Sequence, residues 1–246
     1  MTKPFELCII IPCYNEEKRL DKERFFSFLK SQKNVLLCFV NDGSSDKTIE
    51  VLNNIKSKHP ENAEAISTVK NVGKAEAVRT GILHCNTHFK HDKIAYLDAD
   101  LATTLEECYE ISKIVENEKV FAFGSRIKKI DTNIQRKSYR FLIGRVIATF
   151  ISRQLNLGVY DTQCGCKIFK SELSKGIFNE KFISKWLFDV ELFHRIIKIY
   201  GVNKMCEISS EVPLKSWIDY DESKVKMTYF FKLWLDLYQI KKAYVN

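Results

Sequence analysis

Residues 94–104 read Ile94-Ala95-Tyr96-Leu97-Asp98-Ala99-Asp100-Leu101-Ala102-Thr103-Thr104. The apolar run at 94–97 has the length and composition of a strand buried on both faces, and it ends abruptly in two carboxylates. In an open α/β sheet, ligands bind beyond the carboxyl ends of the strands, so Asp98 and Asp100 are the first candidate site residues. Two hard oxygen ligands with no nearby His or Cys suit Mg2+ or Mn2+, particularly an ion that also holds phosphate oxygens. The pattern also fits a plain acidic strand-to-helix turn, with one carboxylate capping a helix that starts near Thr103.

Outward from this stretch, the first 124 residues alternate strand and helix. Apolar runs at 7–11, 35–40, 63–69 and 120–123 read as further strands. Leu20, Phe25, Phe26 and Leu29 mark one helix face, and Ile49, Leu52 and Ile55 another, the second capped by Ser44 or Ser45 with Asp46 in its first turn. Further helices are expected over 75–85 and 105–116. Such alternation implies an α/β fold with a mostly parallel sheet covered by helices on both faces. No G-x-G-x-x-G follows the first strand and no Walker loop occurs, which argues against dinucleotide dehydrogenases and P-loop enzymes.

After Gly124 the pattern changes. Residues 125–137 form a polar, basic loop, and from Tyr139 apolar residues fall at 139, 142, 143, 146, 147, 150 and 151, with Arg140, Arg145 and Arg153 off that stripe. A final helix over 224–244 places Phe230, Phe231, Leu233, Trp234, Leu237 and Tyr238 between lysines. Either helix can pack on the sheet or lie in a membrane interface. No run approaches the roughly twenty apolar residues that cross a bilayer, so a membrane would be met from one side.

The net charge of +8 favours an anionic partner: nucleic acid, a phosphorylated substrate or an acidic membrane surface. A basic stripe with interleaved aromatics is missing outside the last helix, which weighs against nucleic acid. The eight cysteines are scattered without a C-x-x-C pair and read as reduced core thiols of a cytoplasmic protein. His84, Cys85, His88 and His91 lack the second ligand pair that a zinc site needs.

Four more segments should reach the same sheet edge as Asp98-Ala99-Asp100. They are Pro12-Cys13-Tyr14-Asn15-Glu16, Asn41-Asp42-Gly43-Ser44-Ser45-Asp46, Asn71-Val72-Gly73-Lys74-Ala75 and Gly124-Ser125-Arg126. Each alone is ordinary turn chemistry. In this order they resemble inverting glycosyltransferases of family 2, which have the GT-A (nucleotide-diphospho-sugar transferase) fold. Asp161-Thr162-Gln163-Cys164-Gly165-Cys166-Lys167-Ile168-Phe169 and Trp186-Leu187-Phe188-Asp189-Val190-Glu191-Leu192 are similar to segments of dolichyl-phosphate β-glucosyltransferases and their bacterial relatives. Two features depart from that pattern. Eukaryotic members carry an N-terminal membrane anchor, whereas here the first apolar run begins at Leu7, and Cys166 stands where an aromatic is common.

The resemblance implies a single domain over 1–246, with a nucleotide-sugar half (1–124) and an acceptor half (125–246) that ends in interfacial helices. Pro12, Tyr14, Asn15, Glu16 and Asp42 would hold uracil and ribose, Lys74 the diphosphate or base, and Asp98, Ala99 and Asp100 the sugar, diphosphate and metal. Asp100, with Asp98, would ligate Mg2+ or Mn2+. Arg126, Arg136 and Arg140 would bind the acceptor phosphate, with Gln163 and Lys167 in an acceptor loop. Asp98, Asp100 and Asp189 would form the catalytic set, Asp189 facing the acceptor and Glu191 supporting a loop. The implied reaction moves a hexose, glucose from UDP-glucose, to a dolichyl or undecaprenyl phosphate with inversion, at the cytoplasmic face of a membrane and without nucleic acid. The alternatives are transfer to a hydroxyl of a polysaccharide or glycolipid, and a GDP-mannose version of the lipid reaction. A lipid monophosphate, with a second pKa near about 6, is already a nucleophile and needs no strong base.

Overall fold

Side chains alternate along the first strand, and that alternation sets the layering. Leu7, Ile9, Ile11 and Cys13 enter one apolar core, while Cys8 and Ile10 enter the other. A computed structural model of the chain describes residues 4–135, 138–218 and 229–244, with backbone alone at 138–140, 143 and 229–231. The first half runs β1 (Phe5–Cys13), α1 (Lys22–Ser31), β2 (Val35–Asn41), α2 (Thr48–Lys58), β3 (Ala63–Ser67), α3 (Lys74–His88), β4 (His91–Leu97), α4 (Leu105–Ser112) and β5 (Phe121–Ser125). Then follow β6 (Asn133–Gln135), α5 (Ser138–Leu155), β7 (Cys166–Lys170), α6 (Ser171–Ile177), α7 (Phe188–Tyr200), α8 (Val202–Ile208), β8 (Ser209–Pro213), β9 (Ser216–Ile218) and α9 (Tyr229–Tyr244).

Among the described residues, seven strands form one sheet in the order β3-β2-β1-β4-β7-β5-β8, and β6 pairs with β9 in a small parallel ribbon. The main sheet is parallel except for β7, which runs antiparallel between β4 and β5. Helices α1, α2 and α4 cover one face, and α3, α5, α6, α7 and α9 the other. The chain moves outward from β1 to β2 and β3, then returns to place β4 on the other side of β1. That reversal opens a crevice beyond the carboxyl ends of β1 and β4, where doubly wound sheets bind ligands.

Several local expectations shift. Helix α2 is not capped by Ser44 or Ser45; Asp46 Oδ1 instead accepts the Thr48 N–H at 3.0 Å. Helix α4 is capped by Thr104, whose hydroxyl accepts the Glu107 N–H, so neither carboxylate of the Asp-x-Asp is needed as a cap. Seven of the cysteines are buried, but Cys206 is exposed. The apolar stripe of α5 divides: Ile151 and Leu155 enter the core, while Leu142, Val146 and Phe150 stay exposed along with Phe141.

A buried polar knot fastens α9 to α7. Glu191 accepts from Arg195, from the Tyr244 hydroxyl and from the Ile183 N–H, while Arg195 also donates to the carbonyls of Ile177, Glu180 and Lys181. Glu191 thus supports the loop before α7, as its place beside Asp189 suggested. His194 stacks on Tyr244 and meets Gln154 of α5 at 3.1 Å. Removing one partner of a buried pair strands the other charge, so Glu191→Ala should cost about 3–5 kcal/mol in urea denaturation. Burial lowers His194 from 6.5 to about 4. The unfolded chain therefore takes up a proton below about pH 6.5 that the folded chain refuses until about pH 4, and stability is lost as pH falls through that window. Urea midpoints measured from pH 7 to pH 4 should fall less steeply for His194→Gln than for the wild type; equal slopes would refute this account.

Candidate active site

The loops after β1 and β2 are zipped together at the mouth of the crevice. Asn15 adopts φ 51°, its N–H donates to the Ser44 hydroxyl at 3.0 Å, and its Oδ1 accepts the Ser45 N–H at 2.9 Å. The Glu16 N–H donates to Thr48 Oγ1 at 2.8 Å and the Glu17 N–H to Asp46. Pro12 lies inside β1 opposite Val40, Tyr14 is exposed at 38%, and Glu16 is buried. Tyr14 can therefore offer a ring to a base, whereas Asn15 acts chiefly as a fastener between loops.

Asp42 has a structural task in the loops. Its buried carboxylate accepts the N–H groups of Val72 and Gly73 at 2.8 and 2.9 Å and the Thr68 hydroxyl at 3.2 Å. Both oxygens are committed to holding the 68–73 loop, which fixes the start of α3. Gly43 beside it sits at φ +61°, where a Cβ would lie 2.4 Å from the Lys70 backbone, so this close approach requires glycine.

Lys74, thus placed at the first position of α3, reaches across to β4. Its Nζ lies 2.5 Å from Asp98 Oδ1. Burial works against the ammonium, but the charges of Asp98, Asp189 and Asp100 together hold its pKa above the usual value. Lys74 therefore pairs with Asp98 and feels the charge of the other two carboxylates expected to be catalytic. The Asp98 N–H donates to the Gly165 carbonyl at 3.1 Å, and a Cβ on Gly165 would sit 2.0 Å from Asp98 Oδ2. Asp100 Oδ1 accepts the Ala102 N–H, closing a tight turn over buried Ala99 and Leu101, the latter at φ 50°. A leucine in that region is strained, and such strain persists where the surroundings over-determine it. Burial and the adjacent Asp98 charge raise Asp100 above the ordinary carboxylate range. Two carboxylates one residue apart offer the hard oxygens that a divalent cation would bind, so the donor set fits Mg2+ or Mn2+. Among the described residues no group of three or more His, Cys, Asp or Glu side chains is arranged to hold a metal alone. Further ligands would have to come from substrate or water. Arg19 was not expected here; its charge also favours the ionised form of Asp100, and it lies 3.6 Å from Glu16. The i, i+3 spacing from Glu16 was the only sequence signal for it.

Asp189 enters from α7. Its Oδ1 accepts from the Tyr96 hydroxyl and from Lys167 Nζ, the latter at 2.6 Å, and Lys167 also donates to the Cys164 carbonyl at 2.7 Å. Lys167 is fully buried, so it is a strut beneath the site and not an exposed contact of an acceptor loop. Burial and the Asp189 charge push the Tyr96 phenol well above its usual pKa, which keeps it a donor.

The acceptor-phosphate residues change most. Arg126 is forked onto Asp161 through Nε at 2.6 Å and a terminal nitrogen at 2.8 Å, with Trp217 over its plane. This pairing holds Asp161 well below the carboxylate range despite burial. Arg126 is thus a half-buried brace of the 160–163 segment. Gln163 donates its N–H to Asp161 and leaves its side-chain nitrogen buried without a partner. Arg136 lies outside the described residues, and Arg140 is described only as backbone of α5.

A mixed sheet of this order, with an Asp-x-Asp at the switch point and anion-facing loops beside it, is the architecture of enzymes that act on activated sugars. Residues 8–178 match the Glycosyl transferase family 2 model, and the chain belongs to that family. It is 31% identical to a dolichyl-phosphate beta-glucosyltransferase of Trichomonas vaginalis over 94% of this chain and 69% of that protein. It is also 31% identical to the dolichyl-phosphate beta-glucosyltransferase of Homo sapiens over 87% and 72%. Glucosyl-3-phosphoglycerate synthase from Mycobacterium tuberculosis, solved with Mn2+, UDP-glucose and phosphoglyceric acid, shares the fold at TM-score 0.70 and 15% identity, covering 97% of this chain and 80% of that one.

Two variants test the geometry. Gly165→Ala must displace the Asp98 carboxylate, and turnover should fall roughly hundredfold while the melting temperature stays near wild type. Arg126→Ala should lower the urea midpoint sharply by stranding Asp161, whereas an open phosphate-binding arginine would change only the KM for the acceptor.

Proposed function

We propose that this glycosyltransferase moves glucose from UDP-glucose to a polyprenyl phosphate by a single inverting displacement, giving a β-linked lipid-phosphate sugar and UDP. The observation that carries the reading is the Lys74–Asp98 ion pair at the Asp-x-Asp turn, with Asp189 held by Lys167 and Tyr96 and with α7 and α9 joined behind them. The relatives named as dolichyl-phosphate beta-glucosyltransferases support the glucosyl donor and the lipid acceptor. On this reading residues 1–124 hold the nucleotide sugar and 125–246 the acceptor.

Chemistry follows from charge. The acceptor phosphate is anionic at neutral pH and can attack the anomeric carbon without losing a proton to the protein. Asp189, tied down by Tyr96 and Lys167, acts as a fixed negative wall beside Lys74, and Lys74 holds Asp98 against the sugar and diphosphate. Asp100 and Asp98 would hold Mg2+ or Mn2+, which would supply positive charge for the departing diphosphate. The neighbours solved with Mn2+ or Mg2+ support that assignment.

The acceptor tail calls for an apolar surface. Phe141, Leu142, Val146 and Phe150 of α5 are exposed beside Trp234, Leu235 and Tyr238 of α9, and Phe150 meets Trp234 edge-to-face at 5.0 Å. Lys232, Lys241 and Lys242 of α9 are exposed as well. Aromatic and aliphatic side chains flanked by lysines suit an anionic lipid interface, and α9 is anchored close to Asp189. Among the described residues no helix is long and apolar enough to cross a membrane. On this reading the lysine-flanked apolar face docks the enzyme peripherally at the cytoplasmic face of a membrane.

UDP-glucose and polyprenyl phosphate should yield one extractable lipid product with a β-anomeric linkage by NMR. An α-linked product, or transfer only to sugar hydroxyls, would overturn the reading. Asp100→Asn should reduce turnover by orders of magnitude with the fold intact. The protein should float with anionic vesicles, less so at high salt, and binding should weaken for Leu142→Ser with Trp234→Ser.

A further inference from the structure

Among the described side chains, three cations expected near the reacting groups are already paired: Arg126 with Asp161, Lys74 with Asp98 and Lys167 with Asp189. A reaction between two anionic substrates needs at least one more, placed where phosphate arrives. Lys185 fills that description, and neither the sequence motifs nor the comparisons single it out. It is exposed, and no hydrogen bond or ion pair to another described residue engages it. Its stem nevertheless has a defined seat: a Cβ on Gly73 would lie 3.1, 3.4 and 3.5 Å from Lys185 Cδ, Cβ and Cγ. The side chain thus lies across the glycine that precedes Lys74, at the N-terminal end of α3. Gly73 has φ +94°, so the close approach and the backbone conformation both favour glycine there.

The backbone beneath Lys185 is held firmly. Ser184 is buried, its hydroxyl donates to Asp236 of α9 at 2.6 Å, and it accepts the Trp186 and Leu187 N–H groups at 3.3 and 2.9 Å. Four residues beyond Lys185 stands Asp189. An ammonium on a stem seated against Gly73, the residue before Lys74, adds positive charge that attracts an incoming anion. We propose that Lys185 is a substrate-binding residue that contacts a phosphate oxyanion beside Gly73 and Lys74. The proposal rests on the glycosyl-transfer reading for its substrates. The oxyanion can belong to the donor diphosphate or to the acceptor phosphate.

The test compares Lys185→Gln and Lys185→Arg with Lys198→Gln, an exposed lysine further along α7. Calorimetry measures UDP binding, and steady-state assays use UDP-glucose with a short-chain polyprenyl phosphate. Lys185→Gln should lose roughly ten- to hundredfold in kcat/KM, the scale of one hydrogen bond to a charged group, with unchanged melting temperature. Lys185→Arg should recover most of the loss, and Lys198→Gln should match the wild type. A parallel weakening of UDP binding assigns the contact to the donor diphosphate; a raised acceptor KM with unchanged UDP affinity assigns it to the acceptor phosphate. Wild-type kinetics and UDP affinity in Lys185→Gln would overturn the proposal, as would an equal loss in Lys198→Gln. If the wild type transfers to no lipid phosphate, the lipid reading falls separately. UDP affinity then decides for Lys185: a tenfold loss in Lys185→Gln upholds the contact, and no loss overturns it.

Discussion

The buried contact between Lys167 and Asp189 is the constraint on which the site depends. β7 pairs Lys167 with Tyr96, and its alternation turns that lysine into the core where Tyr96 and Phe169 also point. A lysine there must find a counter-charge, because an unpaired buried ammonium is far costlier than a paired one. Asp189, in the first turn of α7, supplies it. The pair thereby fixes where α7 lies against the sheet, and it sets a carboxylate beside the Asp-x-Asp on β4. Conversely, the antiparallel strand brings Gly165 against Asp98, so one short segment orients carboxylates from two elements.

Much of what reads as binding chemistry in this family of loops is used here to hold the loops themselves. Asn15 ties the first loop to the second, Asp42 ties the second to the third, and Asp161 braces the turn after β5 through Arg126. Polar side chains at a sheet edge have backbone N–H groups as near neighbours, and those groups must be paired when they are buried. Tyr14 remains exposed at the crevice, and Lys74 pairs there with Asp98. Two lysine–carboxylate pairs, Lys74 with Asp98 and Lys167 with Asp189, keep the carboxylates at this edge in fixed positions.

The second half of the chain joins this crevice to a surface. α9 reaches α7 at two places, through Asp236 to Ser184 and through Tyr244 to Glu191 and His194. Its remaining face carries Trp234, Leu235 and Tyr238 outward next to the exposed stripe of α5. Both helices are therefore amphipathic in a divided sense, with Ile151, Leu155, Leu233, Leu237 and Ile240 in the core and Phe141, Leu142, Val146, Phe150, Trp234, Leu235 and Tyr238 exposed.

Sequence alone determined the alternating α/β plan, the strand that leads into Asp98, a helix beginning near Ala75 and the family, because strand period, turn residues and motif order are local properties of the chain. It also placed Glu191 as a loop support. Tertiary structure decided the rest. The antiparallel insertion of β7 was not legible, since Cys166–Lys170 is a short run whose neighbours lie far away in the chain. The fates of Arg126 and Lys167 were equally hidden: a basic residue in a motif looks the same whether it meets a substrate or a carboxylate folded in from 35 or 22 residues away. A helical stripe likewise does not say which of its residues will be covered, because the covering element comes from another part of the chain. Charge and periodicity are written in the sequence; the partner that neutralises a charge or covers a face is chosen only when distant segments pack.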